Sequence, residues 1–349
     1  MFFRGTIGVL FLLAAAIPSF TGEPPNSLAV SAVQFEIDVR TAVNREALEG
    51  KIASAVETAA GDNADLVVFP EYINVFPALS ADEQLIEAFA RMDFSADKIG
   101  SAGGGSAAGQ RLPAGSSESG SRVESGRNLV RTLLASVYRH TGHRSLRSLF
   151  AARAEGVSRW MDEVYGEAAD RHDVHIVAGT YFAFDEQGRR GTLTNRAVVY
   201  APDGTRSYEQ DKVFLTAFER DLLGLDAAEV ENASGFTVDG WSVALTICRD
   251  TYFEAWNTVH GERDLWIDIR GEGTEYNAEV RRRLEGAVPE RISETDVSYG
   301  LTVFLTGEFH GLYWEGRSAF VEESGDSVER LSEANATTGH DIVSAKIGR

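Results

Sequence analysis

The chain has 349 residues, 53 acidic against 33 basic, and a formal net charge of −20. Hydrophobic residues make up 43% and charged residues 25%, which excludes collagen-like, coiled-coil and wholly disordered chains. The acidic excess argues against a nucleic-acid binder, since phosphate recognition needs a basic face.

Met1 to Arg4 is a short basic start, Ile7 to Ile17 an uncharged apolar run, and Pro18, Ser19, Thr21 and Gly22 follow. This is the pattern of an export signal over residues 1–23, cleaved between about 19 and 24. The run is shorter than the ~20 apolar residues of a bilayer span. The expectation is an exported protein, periplasmic or extracellular, with no stable membrane span after cleavage; an uncleaved interfacial anchor is the alternative. Cys248 is the single cysteine, so no disulfide forms within the chain, and a free thiol in an exported protein calls for a chemical reason.

Residues 24–349 read as one α/β domain. Leu28 to Phe35 is a strand rich in β-branched and apolar residues. A helix from about Val43 to Ala60 places Leu48, Ile52, Ala55, Val56 and Ala59 on one face. Asp65 to Phe69 is a short apolar strand stopped by Pro70, and the three together make a βαβ unit with a parallel pair. Glu71 stands just beyond the strand's carboxyl end, where such sheets carry functional groups.

Residues 95–125 contain two Gly/Ser-rich runs and read as a flexible insertion within the domain. A basic stretch follows, with Arg127, Arg131, Arg139, Arg144, Arg147 and Arg153; it reads as a solvated helical face, or more sharply as a lid over an anionic substrate. A helix over Arg159 to His172 leads into a strand, His175 to Phe182. Asn195 to Tyr200, the turn at Pro202 to Gly204 and the return through Tyr208 form a hairpin. Further strands are expected at Trp241 to Ile247, Asp264 to Ile269, Leu301 to Thr306 and Ser318 to Glu322, with a helix containing Ala278 to Leu284.

Three segments each deliver a reactive side chain from a strand. Trp241 to Ile247 carries Cys248 to its end, and Thr251 to Trp256 reads as a helical start whose dipole would favour the thiolate. Glu71 is the best placed carboxylate to act as its base. Lys212, after the hairpin, supplies a fixed positive charge for an oxyanion. No Gly-x-Ser-x-Gly elbow or phosphate loop is present, and His140 with His143 and His172 with His175 lack the acidic partner pattern of a metal site.

Taken together, Phe69-Pro70-Glu71, Lys212-Val-Phe-Leu215 with Tyr208 upstream, and Ile247-Cys248-Arg249-Asp250 resemble the nitrilase (carbon–nitrogen hydrolase) superfamily over roughly residues 28–330, insertion excluded. Glu219, seven residues after Lys212, matches a second active-site glutamate. Arg291 and Glu294 match an Arg-x-x-Glu in a later helix, and Gly316 to Gly325 matches a final hairpin. The chain departs from the pattern at Arg249, usually aromatic, at Glu254-Ala255, usually Pro-Glu, and at Phe214, usually His; these bear on the substrate more than on the reaction class.

The resemblance implies an α-β-β-α sandwich and a hydrolase of non-peptide C–N bonds without cofactor or metal. Cys248 would be the nucleophile, Glu71 the general base and acid, Lys212 the oxyanion stabiliser and Glu219 its positioning partner. A small amide is the expected substrate; nitrile hydrolysis, acyl transfer to an amine and a non-catalytic binding module are the alternatives. Family members commonly assemble, so a homo-oligomer is a possible state. Tyr72, Arg249 and Arg270 are expected to face the substrate, with at least one arginine selecting a carboxylate-bearing amide.

Overall fold

Strand geometry sends alternate side chains to opposite faces, and the first strand uses both. In β1 (Ser27–Ile37), Leu28, Val30 and Ala32 enter one apolar core while Val33, Phe35 and Ile37 enter another. This computed structural model describes residues 25–80, 145–186, 191–273, 276–309, 312–325 and 327–349. The export signal, the Gly/Ser-rich insertion, Arg127, Arg131, Arg139, Arg144 and the His140/His143 pair lie outside the described residues.

Asp38 caps α1 (Val39–Val43) through a capping box with Thr41, and the Asn44 side chain accepts from the Ala47 N–H to start α2 (Arg45–Gly61). The five apolar positions expected on one helical face are the five buried ones in α2. β2 (Leu66–Val68) runs parallel to β1, as the βαβ reading requires.

After α3 (Phe76–Ser80), the chain continues in α4 (Leu146–Met161), a π-helical turn (Asp162–Gly166) and α5 (Glu167–His172). The helix therefore begins earlier than the expected Arg159, at a Ser145 cap. Arg147 donates to the Gly224 and Gly191 carbonyls and pairs with Asp226, and Arg153 donates to the Ala78 carbonyl. These two arginines anchor α4 to its neighbours, which is a packing role and not that of a lid.

β3 (His175–Asp185) lies parallel to β2, and the expected hairpin is β4 (Thr192–Tyr200) with β5 (Arg206–Asp211). The second half of the chain supplies β6 (Phe236–Val238), β7 (Trp241–Ile247), α6 (Ala255–His260), β8 (Leu265–Arg270), α7 (Ala278–Ser293) and β9 (Tyr299–Phe309). It closes with β10 (Leu312–Trp314), β11 (Ala319–Ser324), β12 (Ser327–Glu333) and β13 (Asp341–Gly348). β6, β10, β12 and β13 are additions to the sequence reading. β13 pairs antiparallel with β1 from Ser27 to Gln34.

Two sheets result, ordered β5-β4-β3-β2-β1-β13 and β6-β7-β8-β9-β11-β12. They share a seam, because the end of β1 (Phe35 to Ile37) pairs in parallel with β9 (Leu305 to Gly307). The core between the sheets takes Val30, Val68, Val177 and Val199 from one and Val243, Leu245, Ile267 and Val303 from the other. Helices α2, α4 and α5 cover the outer face of the first sheet. Trp256 of α6 and Val288 and Ile292 of α7 cover Ala244 and Trp266 on the outer face of the second. This is the α-β-β-α sandwich anticipated from the sequence. Glu71 follows β2, Lys212 follows β5 and Cys248 follows β7, so strand ends of both sheets carry the reactive residues.

Candidate active site

Beyond β2 the chain turns sharply: Tyr72 takes φ +66°, and its N–H donates to Thr180 Oγ1 at 2.8 Å. Gly179, at a register shift in β3, makes room for this turn. A Cβ on it would stand 2.1 Å from the Pro70 carbonyl oxygen, and its φ of +73° suits glycine. The Asn74 amide donates to the Ala178 carbonyl at 2.6 Å and accepts from the Tyr165 hydroxyl at 2.9 Å, which pins the segment after Glu71. The result is a glutamate wholly out of solvent and held on both oxygens. Oε1 accepts from Lys212 Nζ (2.7 Å) and Asn195 Nδ2 (2.9 Å), and Oε2 accepts from the Gly271 N–H (2.9 Å).

Lys212 follows β5 directly, and its N–H donates to the Asn195 carbonyl at 2.8 Å. Its ammonium also donates to Glu219 Oε1 at 2.9 Å, so one cation bridges two fully buried carboxylates. Glu219 Oε1 further accepts from the Tyr72 hydroxyl (2.7 Å) and Asn195 Nδ2 (3.0 Å), and Oε2 accepts from the Thr216 N–H (2.8 Å) and hydroxyl (3.0 Å). An ammonium has three donors. Two are used here, and the third is available to the cavity that Lys212 lines.

Cys248 leaves β7 at φ +55°, a left-handed conformation that a non-glycine residue holds only when its surroundings impose it. Its N–H donates to Asp268 Oδ1 at 3.1 Å, and Asp268 is fixed in turn by Arg270 Nε. Two residues on, the buried Asp250 accepts from the Phe214 N–H (2.7 Å) and the Val213 N–H (3.2 Å), tying the cysteine turn to the segment after Lys212. The element after β7 is a 3-10 turn (Cys248–Tyr252), and α6 begins only at Ala255. The expected helix-dipole activation is therefore not what this turn provides.

The electrostatics agree with that correction. Burial first, and then the Glu71 carboxylate, push the Cys248 thiol well above its ordinary value, with Lys212 pulling the other way. Burial also raises Glu71, against the pull of Lys212. Burial opposes the charge on Lys212, but Glu219 and Glu71 outweigh it and hold the ammonium well above its usual range. Glu219 is lowered: burial works against its charge, but Lys212 and the Thr216 N–H prevail. At rest the site holds a neutral thiol beside an ammonium that bridges two glutamates.

Tyr72, Lys212 and Cys248 line one cavity of about 250 Å³, together with Thr216, Glu272 and a largely apolar wall. Glu71 reaches the same place through Lys212. Arg249 and Arg270 do not line this cavity. Arg249 is exposed with its guanidinium over the Phe253 ring, and Arg270 turns inward, with Nη1 donating to the Tyr252 hydroxyl at 2.7 Å. The anticipated carboxylate-selecting arginine is thus corrected: a position after a strand fixes where the backbone is, not where a long side chain goes. Sequence reading missed Asn195, Thr216 and Asp268.

The arrangement of layers matches solved structures. An amidase from Nesterenkonia sp. is 13% identical, with 93% of this chain and 92% of that chain covered and a TM-score of 0.58. The fold is that of the nitrilase superfamily. A carbon–nitrogen hydrolase from Helicobacter pylori G27 shares this nitrilase-type fold at 12% identity, covering 93% of this chain and 89% of its own, with a TM-score of 0.57. A variant of the Nesterenkonia sp. AN1 amidase, 13% identical over 94% of each chain with a TM-score of 0.57, carries the acetamide moiety of fluoroacetamide covalently added at its active-site cysteine. No family model matches the sequence, and no curated protein does.

Proposed function

We propose that this chain is a thiol hydrolase of non-peptide C–N bonds that cleaves an amide to a carboxylic acid and ammonia or an amine. The observation that carries this reading is the bridging ammonium, with Lys212 Nζ 2.7 Å from Glu71 and 2.9 Å from Glu219 in a cavity it shares with Cys248. Glu71 takes the thiol proton as Sγ attacks the amide carbon, and the carbonyl π electrons move to oxygen. The third donor of Lys212 and the Arg249 backbone N–H stabilise that oxyanion. As the C–N bond breaks, Glu71 returns the proton to the departing nitrogen. It then removes a proton from water, which attacks the thioester carbon, and Cys248 leaves as the thiol.

A thiol held neutral at rest fits this sequence, because the proton leaves only when the nucleophile is needed. Glu219, lowered and held by Thr216 and Tyr72, keeps the ammonium charged and aimed, and is a positioning residue. The basic start and apolar run over residues 1–17 support export as the place of action.

The test is ammonia release from a panel of small amides and nitriles by the full chain, with Cys248→Ala as the blank. Release from amides that falls to background in the blank supports the reading. Equal release by both proteins, or none from either, overturns it.

A further inference from the structure

The cavity is polar at one end and apolar over the rest of its wall. Lys212, Cys248, Thr216, Tyr72 and Glu272 mark the polar end. Beyond them the wall includes Phe76, Phe150, Phe182, Leu222, Phe309 and Trp314. These rings brace one another edge to face: Phe76 with Phe309 (5.6 Å between centroids) and Trp314 (6.0 Å), and Phe150 with Phe182 (4.8 Å). The enclosure is therefore a shaped apolar slot. Lys212 is the one lysine or arginine among its described lining residues, and its ammonium already serves two carboxylates. A charged acyl tail would find no further lysine or arginine among the described lining residues to offset its desolvation.

Building on the amide-hydrolase reading, we propose that the acyl group of the substrate is an uncharged, medium-length hydrocarbon chain, with the scissile carbonyl at Cys248 and the chain lying along the aromatic wall. Volume sets its length. An apolar cavity of about 150 Å³ accepts benzene, with six carbons. At about 250 Å³ this slot has room in proportion for roughly ten. Burying each methylene contributes about 0.8 kcal/mol, or about fourfold in kcat/KM at 25 °C. The preference should therefore climb with chain length until the slot is full.

The experiment runs unbranched primary amides from acetamide to dodecanamide, reading ammonia release with the Cys248→Ala blank, and includes the ω-carboxylate analogue of octanamide. The expected result is a rise of several-fold per carbon up to roughly eight to ten carbons, with octanamide preferred at least tenfold over its charged analogue. Leu222→Trp, which fills part of the slot, shifts the optimum to shorter chains. A flat or falling series, or equal turnover of the charged analogue, overturns the proposal and leaves amide hydrolysis standing. If no amide is turned over, calorimetry of octanamide and acetamide binding to Cys248→Ala decides the chain preference separately. Tighter octanamide binding supports the slot; equal or absent binding overturns it.

Discussion

Glu71 has two effects on Cys248 that pull in opposite directions, and one substitution separates them. In the proposed mechanism it is the base that makes attack possible; as a nearby anion it raises the thiol, second only to burial. Glu71→Gln keeps the shape and removes the charge. The Cys248 pKa should therefore fall, read as thiolate absorbance against pH, while amide hydrolysis drops about 10²–10⁴-fold. A variant in which both stay level would remove Glu71 from the chemistry. For the same reason the wild-type rate should fall on the acidic side of its pH profile. The base works only when ionised, and burial raises its titration from the ordinary glutamate value.

At the scale of elements, the site depends on turns that leave strands at abrupt angles. Gly179 is the clearest case, since the close approach of Pro70 leaves no space for a methyl group. Gly179→Ala should lose more than about 1 kcal/mol in chemical denaturation and lower kcat as well, because Tyr72 and Glu71 ride on the displaced segment. Elements of this kind explain what the sequence revealed. Glu71, Lys212 and Cys248, which the structure brings to one place, could be singled out because each follows an apolar or paired run and because their order together resembles a known family. Asn195 was not. It sits inside β4 like any pairing residue, and its meaning comes from Glu71, 124 positions away. β13 escaped for a related reason: of its eight residues only Val343 and Ile347 are buried, so its alternation is too diluted to read. Arg270 was placed correctly in the chain and wrongly in space, since Asp268 and Tyr252 turn its guanidinium inward.

For the whole molecule, buried acids set how stability responds to pH. Burial pushes Asp250 up to about 7, with Lys212 and the Phe214 and Val213 N–H groups acting against it. In the unfolded chain an aspartate titrates near about 3.9. A raised folded value means the folded state binds the proton more tightly. Its contribution is thus complete below about 4, declines as pH rises, and is gone beyond about 7. Asp250→Asn keeps the Oδ1 acceptor that takes both N–H groups. The fall in melting temperature between pH 5 and 7.5 should be shallower in this variant than in the parent. Glu71 and Asp268, also raised by burial, leave a residual slope of the same sign. An identical slope in parent and variant would show that Asp250 titrates normally.

The protonated resting state of Cys248 has a consequence for survival. Peroxide attacks thiolates, and sulfenic acid formed on a lone cysteine finds no neighbouring thiol in the chain to resolve it. A sulfur that surrenders its proton only as it bonds to substrate is shielded between turnovers, so an idle molecule should withstand oxidant longer than a protein with an ordinary exposed cysteine. Loss of activity in hydrogen peroxide, timed across a pH series, should stay slow through the range where an ordinary cysteine already ionises.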